Sequence, residues 1–254
     1  MRRELHAEWT KLRTEPGTGP LLLAIVAVTV AVSAAACATV TCAPARCDHD
    51  AVRLGLAGVQ AGQAAVAILA VLAICGEYGT GMIRTTLTAM PRRGAVLTAK
   101  AAVVTGLTLV AGTAAVLGSV LAGRLVLPGR GFTAAPLSLA DGPTLRAVAG
   151  SVLYLALIAL LSLGVGTAVR DSAAAAGVVL GLLYLSSILP YMVGDPDWQR
   201  LLWRLSPMNA GLAVQATTHL SSLPLSPWAG LGVLSAWAGA ALLCGGLLLR
   251  RRDA

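Results

Sequence analysis

Long runs of apolar residues, free of Asp, Glu, Lys and Arg, recur along the chain and are separated by short polar or basic segments. An α-helix rises about 1.5 Å per residue, so about 20 residues cross a hydrocarbon core about 30 Å thick. Each run is long enough to cross. The pattern predicts six transmembrane helices, at residues 21–40, 54–76, 101–123, 147–169, 172–194 and 228–249.

The last apolar region, residues 205–249, could hold two crossings, and the distribution of positive charge favours one. With six spans and a cytoplasmic N-terminus, twelve of the nineteen Lys and Arg residues lie on the cytoplasmic side, as basic loops prefer. A seventh crossing would move residues 250–252 outside. We therefore predict cytoplasmic N- and C-termini, with residues 195–227 forming an external or re-entrant segment.

Composition supports an all-α integral membrane protein with a single transmembrane domain over residues 1–254. The chain is 57% hydrophobic and only 12% charged, too little polar surface for a soluble domain of this length. In lipid, helices satisfy their own backbone hydrogen bonds. The net charge of +8 could indicate nucleic acid, but the basic residues lie mostly at the ends of apolar runs. Membrane lipid is therefore the predicted partner, and nucleic acid is not.

Residues 1–16 have the pattern of an amphipathic helix that lies flat on the membrane surface. Leu5, Trp9 and Leu12 form one stripe, and charged residues, Glu8 and Lys11 among them, occupy the other faces. Two alternatives are a disordered basic tail and a secretory signal cleaved after the small residues 34–36. The first apolar run is longer than a signal peptide usually carries.

The segment 77–100 separates the second and third runs and has a helical pattern of its own. Ile83, Leu87 and Met90 recur at i, i+4 and i+7, which predicts one narrow apolar ridge suited to a groove in another protein. Pro91 would end this helix, and Arg92 would follow at the end that favours cations. The alternative is an ordinary connector between spans.

This segment resembles the cytoplasmic loop between spans two and three of ABC-2 type transporter permeases. The residues that carry the resemblance are Glu77, Tyr78, Gly81, Ile83, Arg84, Leu87, Pro91, Arg92 and the closing Lys100. Met82 stands where that pattern usually has Thr. The run from Glu8 to Arg13 and the segment 203–207 also resemble parts of those permeases, namely the opening helix and the entry to an external element.

The resemblance implies the membrane-spanning subunit of an exporter in the plasma membrane. It implies a cytoplasmic coupling helix that docks on a separate ATPase subunit, with ATP and Mg bound by that subunit, and a second permease copy. Residues 77, 78, 81, 83, 84, 87 and 90–92 would form the docking site, and the exported solute would be a drug, an antibiotic or a lipid-like molecule. The alternative is a six-span membrane anchor or sensor without an ATPase partner.

The sequence contains no catalytic motif that we recognise. A P-loop needs a lysine after glycine, and the two lysines, Lys11 and Lys100, both lack one. No zinc-protease or serine-hydrolase motif occurs, and the three histidines are far apart. We therefore predict that the chain is not an enzyme and binds no cofactor itself.

Two smaller features are candidates for chemistry. Cys42 and Cys47 share a short polar loop and could form a disulfide in an oxidising compartment; a weak metal site there is the alternative, but the spacing matches no closed site and we predict no metal.

Polar residues within the spans are candidates for lining a solute cavity, or for hydrogen bonds between helices. They are Gln60, Gln63, Tyr184 and Ser186.

Overall fold

The computed structural model describes residues 2–42, 49–82, 93–132 and 137–251, and the regular structure in these ranges is helical. The helices are α1 (Arg2–Thr14), α2 (Thr18–Thr39), α3 (Ala51–Gly55), α4 (Val59–Gly79), α5 (Arg93–Val126), α6 (Gly142–Val169), α7 (Ser172–Met192), α8 (Pro196–Leu205), α9 (Pro207–Leu212) and α10 (Pro227–Arg251). Short 3-10 turns cover Leu127–Arg130, Ala213–Gln215 and Leu220–Ser222.

Six of these helices, α2, α4, α5, α6, α7 and α10, are long and apolar enough to cross a membrane. This confirms the predicted number of helices of that length and composition. Helices α4 and α6 form the centre of the bundle, with 61% of their most apolar stretch buried, whereas the figure for α2, α7 and α10 is 22%. The outer helices therefore present exposed apolar side chains such as Leu23 and Leu243 to their surroundings, as lipid-facing helices do.

The second span begins later than the apolar run predicts. Helix α3 ends at Gly55 and α4 begins at Val59, because the chain turns between them to bring Gly58 against α2. The Gly58 N–H donates to Ser33 Oγ at 3.0 Å, and a Cβ on Gly58 would lie 1.8 Å from the Thr29 carbonyl oxygen. This close approach requires glycine, and sequence periodicity alone does not reveal it.

Helix α5 is longer than a bilayer requires. Its 34 residues correspond to about 50 Å at 1.5 Å per residue, so it is tilted or projects beyond the hydrocarbon core. Helix α7 contains a π-helical turn at Gly181–Leu185 and Pro190 one turn further on. Both features interrupt the regular hydrogen-bond ladder.

The segment between the fifth and sixth spans has two parts. Helix α8 has no buried residue, whereas residues 207–216 return into the bundle against α6 and α10. A Cβ on Gly211 would lie 2.6 Å from the ring of Tyr154, close to the middle of α6, and a Cβ on Gly230 would lie 1.9 Å from the Ala210 carbonyl oxygen. Residues 207–216 therefore fold back into the bundle, and we call them the re-entrant segment; α8 lies on the outside of the bundle.

Side-chain contacts sort the connections into two ends of the bundle. Glu77, Lys100, Arg170 and Arg250 lie at one end, which we call the cluster end. Residues 42, 49–58, 124–132, 137–142 and 216–224 lie at the other, which we call the clasp end. A bundle of six spans with both termini on one side is expected to place its connections at two ends in this way.

Candidate functional site

Four charged side chains from three helices meet at the cluster end. Glu8 and Lys11 come from α1, Glu77 from the last turn of α4, and Lys100 from the second turn of α5. We call these four residues the charge cluster. It includes both lysines of the chain.

Lys100 is at the centre of the charge cluster. Its Nζ lies 2.6 Å from Glu8 Oε2 and 2.9 Å from Glu77 Oε1, and it donates to the carbonyl oxygen of Ala73 at 2.9 Å. These three acceptors match the three donors of an ammonium group. Lys11 Nζ completes the arrangement, at 3.0 Å from both Glu8 Oε1 and Glu77 Oε1.

Three members of the charge cluster are shielded from solvent, Lys11 is partly exposed, and the cluster is neutral overall. Lys100 and Glu8 are each 1% exposed, and Glu77 is 7% exposed. An unpaired charge so deeply buried would cost several kcal/mol, but two carboxylates and two ammonium groups balance here. Burial alone would lower the pKa of Lys11, yet its hydrogen bonds to Glu77 and Glu8 outweigh burial and raise that pKa. Lys11 therefore stays protonated near neutral pH.

A small cavity lies beside the charge cluster, between α1 and α4. Its volume is about 230 Å³, and Lys11, Glu15, Thr80 and Glu77 contribute to its walls. Glu77 Oε2 is buried and has no hydrogen-bond partner among the residues that the structure describes. The cluster therefore keeps one unused acceptor next to this space.

Tyr78 links the end of α4 to the connection between α6 and α7. The Arg170 guanidinium lies 5.2 Å from the centre of the Tyr78 ring, a cation–π contact. Arg170 has φ of +66°, the left-handed conformation that ends α6, and Asp171 caps α7 by accepting from the Ala174 N–H at 2.7 Å. The tight polar hairpin after the fourth span therefore lies beside Tyr78.

The predicted docking residues divide into two groups. Glu77, Tyr78 and Gly81 lie in the described part of the chain, where α4 ends and Gly81 takes φ of +70°. Ile83, Arg84, Leu87, Met90, Pro91 and Arg92 lie outside the described residues. The coupling helix thus stays a prediction, whereas the helix ends on both sides of it are defined.

The membrane-surface residues of α1 differ in their surroundings. Leu12 is 3% exposed and belongs to the core of the bundle, while Trp9 is 46% exposed. Glu8, on a polar face of α1, is buried against Lys100. The amphipathic pattern does not reveal this contact, because a helical wheel shows no partner 92 residues away. The membrane-surface role of Leu5, Trp9 and Leu12 stays a prediction.

The polar residues of the spans are engaged in bonds between or within helices. Gln63 is fully buried, accepts a hydrogen bond from the Tyr154 hydroxyl and donates to Met208 Sδ at 3.2 Å. Gln60 is exposed, and its backbone carbonyl oxygen accepts a hydrogen bond from the Tyr184 hydroxyl at 2.7 Å. Ser186 lies 3.0 Å from Ser206. Hydrogen bonding thus accounts for Gln63 in this structure, and a cavity role for these residues stays a prediction.

At the clasp end, Asp50 ties the start of α3 to the exit of the re-entrant segment. Its carboxylate accepts from the N–H of Thr217 at 2.6 Å and of Thr218 at 3.1 Å, and it also accepts from both threonine hydroxyls. The same carboxylate caps α3 through the N–H groups of Val52 and Arg53. We call this arrangement the Asp50 clasp.

The cysteine loop lies at the same end. Cys42 is disulfide-bonded, and Cys47 lies outside the described residues. Among the residues described, no group of three or more His, Cys, Asp and Glu could hold a metal ion.

No protein-family model and no curated protein matches the chain. The class that the fold defines is an all-helical, multi-pass membrane protein with six candidate spans.

Proposed function

We propose that the chain is the membrane-spanning subunit of an ABC-2 type exporter in the plasma membrane, with both termini in the cytoplasm. It works with a second copy and with a separate ATPase that binds ATP and Mg. The exported solute is a drug, an antibiotic or a lipid-like molecule. The resemblance of residues 77–100 to the coupling loop of that family is the sequence argument for this proposal.

The charge cluster is the structural observation that favours the proposal. Residues 80–92 leave α4 at its end and enter α5 at its start, and the charge cluster lies within two helical turns of both points. Lys100 bonds Glu77, Ala73 and Glu8 together, so the ends of α4, α5 and α1 cannot separate without exposing buried charge. An ordinary connector between spans does not require buried ion pairs that hold three helices together.

The charge cluster gives a physical route by which movement of the ATPase reaches the spans. When two ATPase subunits close on ATP, the apolar ridge of Ile83, Leu87 and Met90 is displaced. Because the charge cluster holds the neighbouring helix ends as one unit, α4 and α5 tilt together and α1 moves with them. Differential contact of the ridge with the open and closed ATPase supplies the energy that switches a solute cavity between inward and outward access.

The second candidate function is a six-span membrane anchor or sensor component. In that case the charge cluster only stabilises the bundle, and residues 80–92 contact no ATPase. The two functions differ in the partner that the cluster end binds.

Affinity purification of the tagged full chain from its native membranes tests the proposal. Mass spectrometry of the detergent-solubilised complex is expected to identify a P-loop ATPase. Ile83→Asp and Leu87→Asp are expected to lose it while still inserting into the membrane, because a carboxylate on the ridge would be buried at the interface.

Leu139→Asp is the matched control, since Leu139 is an exposed apolar residue at the clasp end. It is expected to retain the ATPase. If the unaltered chain brings down no P-loop ATPase, or if the ridge variants retain it fully, the exporter proposal fails, and the first of these outcomes favours the anchor or sensor.

A further inference from the structure

An apolar groove lies on the outer face of the bundle at the cluster end, between the start of α5 and the end of α10. Its volume is about 310 Å³. Leu97, Thr98 and Ala101 line one wall, and Leu243, Gly246 and Leu247 line the other. Leu243 and Leu247 are 70% and 53% exposed, so the groove opens toward the lipid rather than toward the core.

The two helices touch at small residues, and these contacts fix the shape of the groove. A Cβ on Gly246 would lie 3.5 Å from Leu97 Cδ2, and a Cβ on Gly94 would lie 3.4 Å from Arg250 Nη2. Arg250 therefore crosses from the last turn of α10 to the first turn of α5. The groove has an apolar floor and one guanidinium at its membrane-surface end.

The groove is too small to enclose a whole turn of another helix. An α-helix with its side chains is about 10–12 Å wide and rises about 5.4 Å per turn, so a single turn fills roughly 420–610 Å³. The groove is smaller than that. An acyl chain is narrower than a helix, so part of one can lie in the groove with its methylene groups against the apolar walls.

Charge at the mouth of the groove identifies the kind of headgroup. Arg250 lines the groove, the neighbouring Arg251 lies in the same last turn, and no carboxylate lines the site among the described residues. A guanidinium can donate two parallel hydrogen bonds to a phosphate, and basic pockets between membrane helices bind anionic headgroups. Arg250 thus complements a lipid phosphate at the depth where the acyl chain would enter.

We propose that this groove is a binding site for one anionic phospholipid from the leaflet at the cluster end. One acyl chain lies along Ala101, Leu243 and Leu247, and the headgroup phosphate binds Arg250. The site joins α5, which carries Lys100, to α10, so an occupied groove holds the final span against a helix of the charge cluster. The proposal does not depend on the exporter function.

Native mass spectrometry of the purified full chain tests this site, with palmitoyl-oleoyl phosphatidylglycerol as the probe and phosphatidylcholine of the same chains as the neutral comparison. The unaltered chain is expected to retain one phosphatidylglycerol in preference to phosphatidylcholine. Arg250→Gln is expected to weaken phosphatidylglycerol binding about fivefold, which corresponds to about 1 kcal/mol for one Arg at an anionic surface, and to weaken phosphatidylcholine binding less, because the choline cation offsets the charge of its phosphate.

Two variants separate the headgroup from the acyl chain. Arg251→Gln, one residue from Arg250 but not in the groove lining, is expected to have little effect. Thr98→Trp is expected to fill the groove and reduce binding of both lipids, with Gly246→Leu as a second filling variant if Thr98→Trp does not fold. Thermal unfolding of each variant provides the folding control.

Equal retention of the two lipids by the unaltered chain would overturn the proposal. So would full phosphatidylglycerol binding by Arg250→Gln, or a filling variant that changes the number of chains in the complex without changing lipid binding. The last result would identify the groove as a contact between copies.

Discussion

The two ends of the bundle are held together by different chemistry. At the cluster end, the buried charges of Glu8, Glu77 and Lys100 and the partly exposed charge of Lys11 neutralise one another. At the clasp end, single charged side chains bind neutral groups: Asp50 binds N–H and hydroxyl groups, and Arg124 donates to the Leu137 carbonyl oxygen at 2.7 Å and 3.0 Å. Removing one member of the charge cluster therefore unbalances buried charge, whereas removing the charged side chain at the clasp end leaves only neutral groups unsatisfied.

The largest effect is expected for Lys100→Met. Glu8 and Glu77 would keep only Lys11 between them in a buried setting, which is expected to lower the free energy of unfolding by about 3–5 kcal/mol. Denaturant unfolding in a mild detergent, followed by tryptophan fluorescence, measures the change.

A double variant makes this test specific to charge balance. Glu77→Gln combined with Lys100→Met removes one charge of each sign and is expected to recover part of the lost stability. Arg200→Gln removes an exposed ion pair with Asp197 and is expected to change little. A Lys100→Met protein as stable as the unaltered chain would remove the contrast between the two ends.

A smaller effect is expected at the clasp end for Asp50→Ala. The change removes the cap of α3 and the acceptor for Thr217 and Thr218, at an expected cost of about 2–3 kcal/mol. Hydrogen exchange is expected to rise in residues 213–223 while exchange near the charge cluster is unchanged.

Asp141→Ala is the control for this variant, because Asp141 precedes α6 but makes no side-chain cap bond. If both variants raise exchange equally in residues 213–223, the Asp50 clasp does not hold the re-entrant segment.

Between the two ends, Tyr154→Phe is expected to cost about 1 kcal/mol, since it leaves the buried Gln63 Oε1 without its donor. Thermal unfolding measures this cost, and Gln60→Ala, at an exposed position, is expected to have no comparable effect.

Export assays in variants of these polar residues separate a packing role from a transport role. A loss of export in Gln63→Ala at normal abundance and stability would assign Gln63 to the solute path.

The smallest effect is expected from a change of pH near neutrality, because Lys11 loses its proton only at alkaline pH and Asp50 gains one only at acidic pH. The pKa of Lys11 is raised, so its contribution is complete below the usual value of 10.5 and is lost only as pH rises through the higher folded value. Burial alone would raise the pKa of Asp50, but the N–H donors of Thr217 and Arg53 lower it. The Asp50 contribution is therefore complete above the usual value of 3.8 and is lost as pH falls below it.

Protection of residues 5–14 and 213–223 from hydrogen exchange, corrected for intrinsic rates, is thus expected to be unchanged between about pH 6 and about pH 9. A loss of protection at either end within this range would show that another group controls that end.

The number and order of the spans could be predicted from the sequence because long uncharged runs have few alternatives in a chain of this composition. The exact helix ends could not. The break before α4 depends on the contact of Gly58 with Thr29 and Ser33, and the path of residues 207–216 depends on Gly211 and Gly230 meeting other helices. Such contacts between distant residues leave no periodic signal.

The candidate site was predictable in part. Glu77 and Lys100 stood out as charges beside apolar runs, and a family resemblance drew attention to them. Their partner Glu8 was missed, because the amphipathic pattern of α1 separates charged from apolar residues without showing which charged residue faces the bundle. The available signal was that Glu77 follows the second predicted span and Lys100 precedes the third, which places opposite charges at one end of the bundle, the end where residues 1–16 with their carboxylates also lie.

Labelling of an introduced cysteine tests the central claim, that the cluster end faces the cytoplasm and receives the ATPase. Thr86→Cys would be combined with Cys244→Ser, which removes an exposed free thiol, and treated with a membrane-impermeant maleimide. Gly129→Cys, at an open position of the clasp end, is the outward control. We predict that intact cells label Gly129→Cys at once and Thr86→Cys only after permeabilisation. Labelling of Thr86→Cys in intact cells would contradict the orientation and the exporter proposal with it.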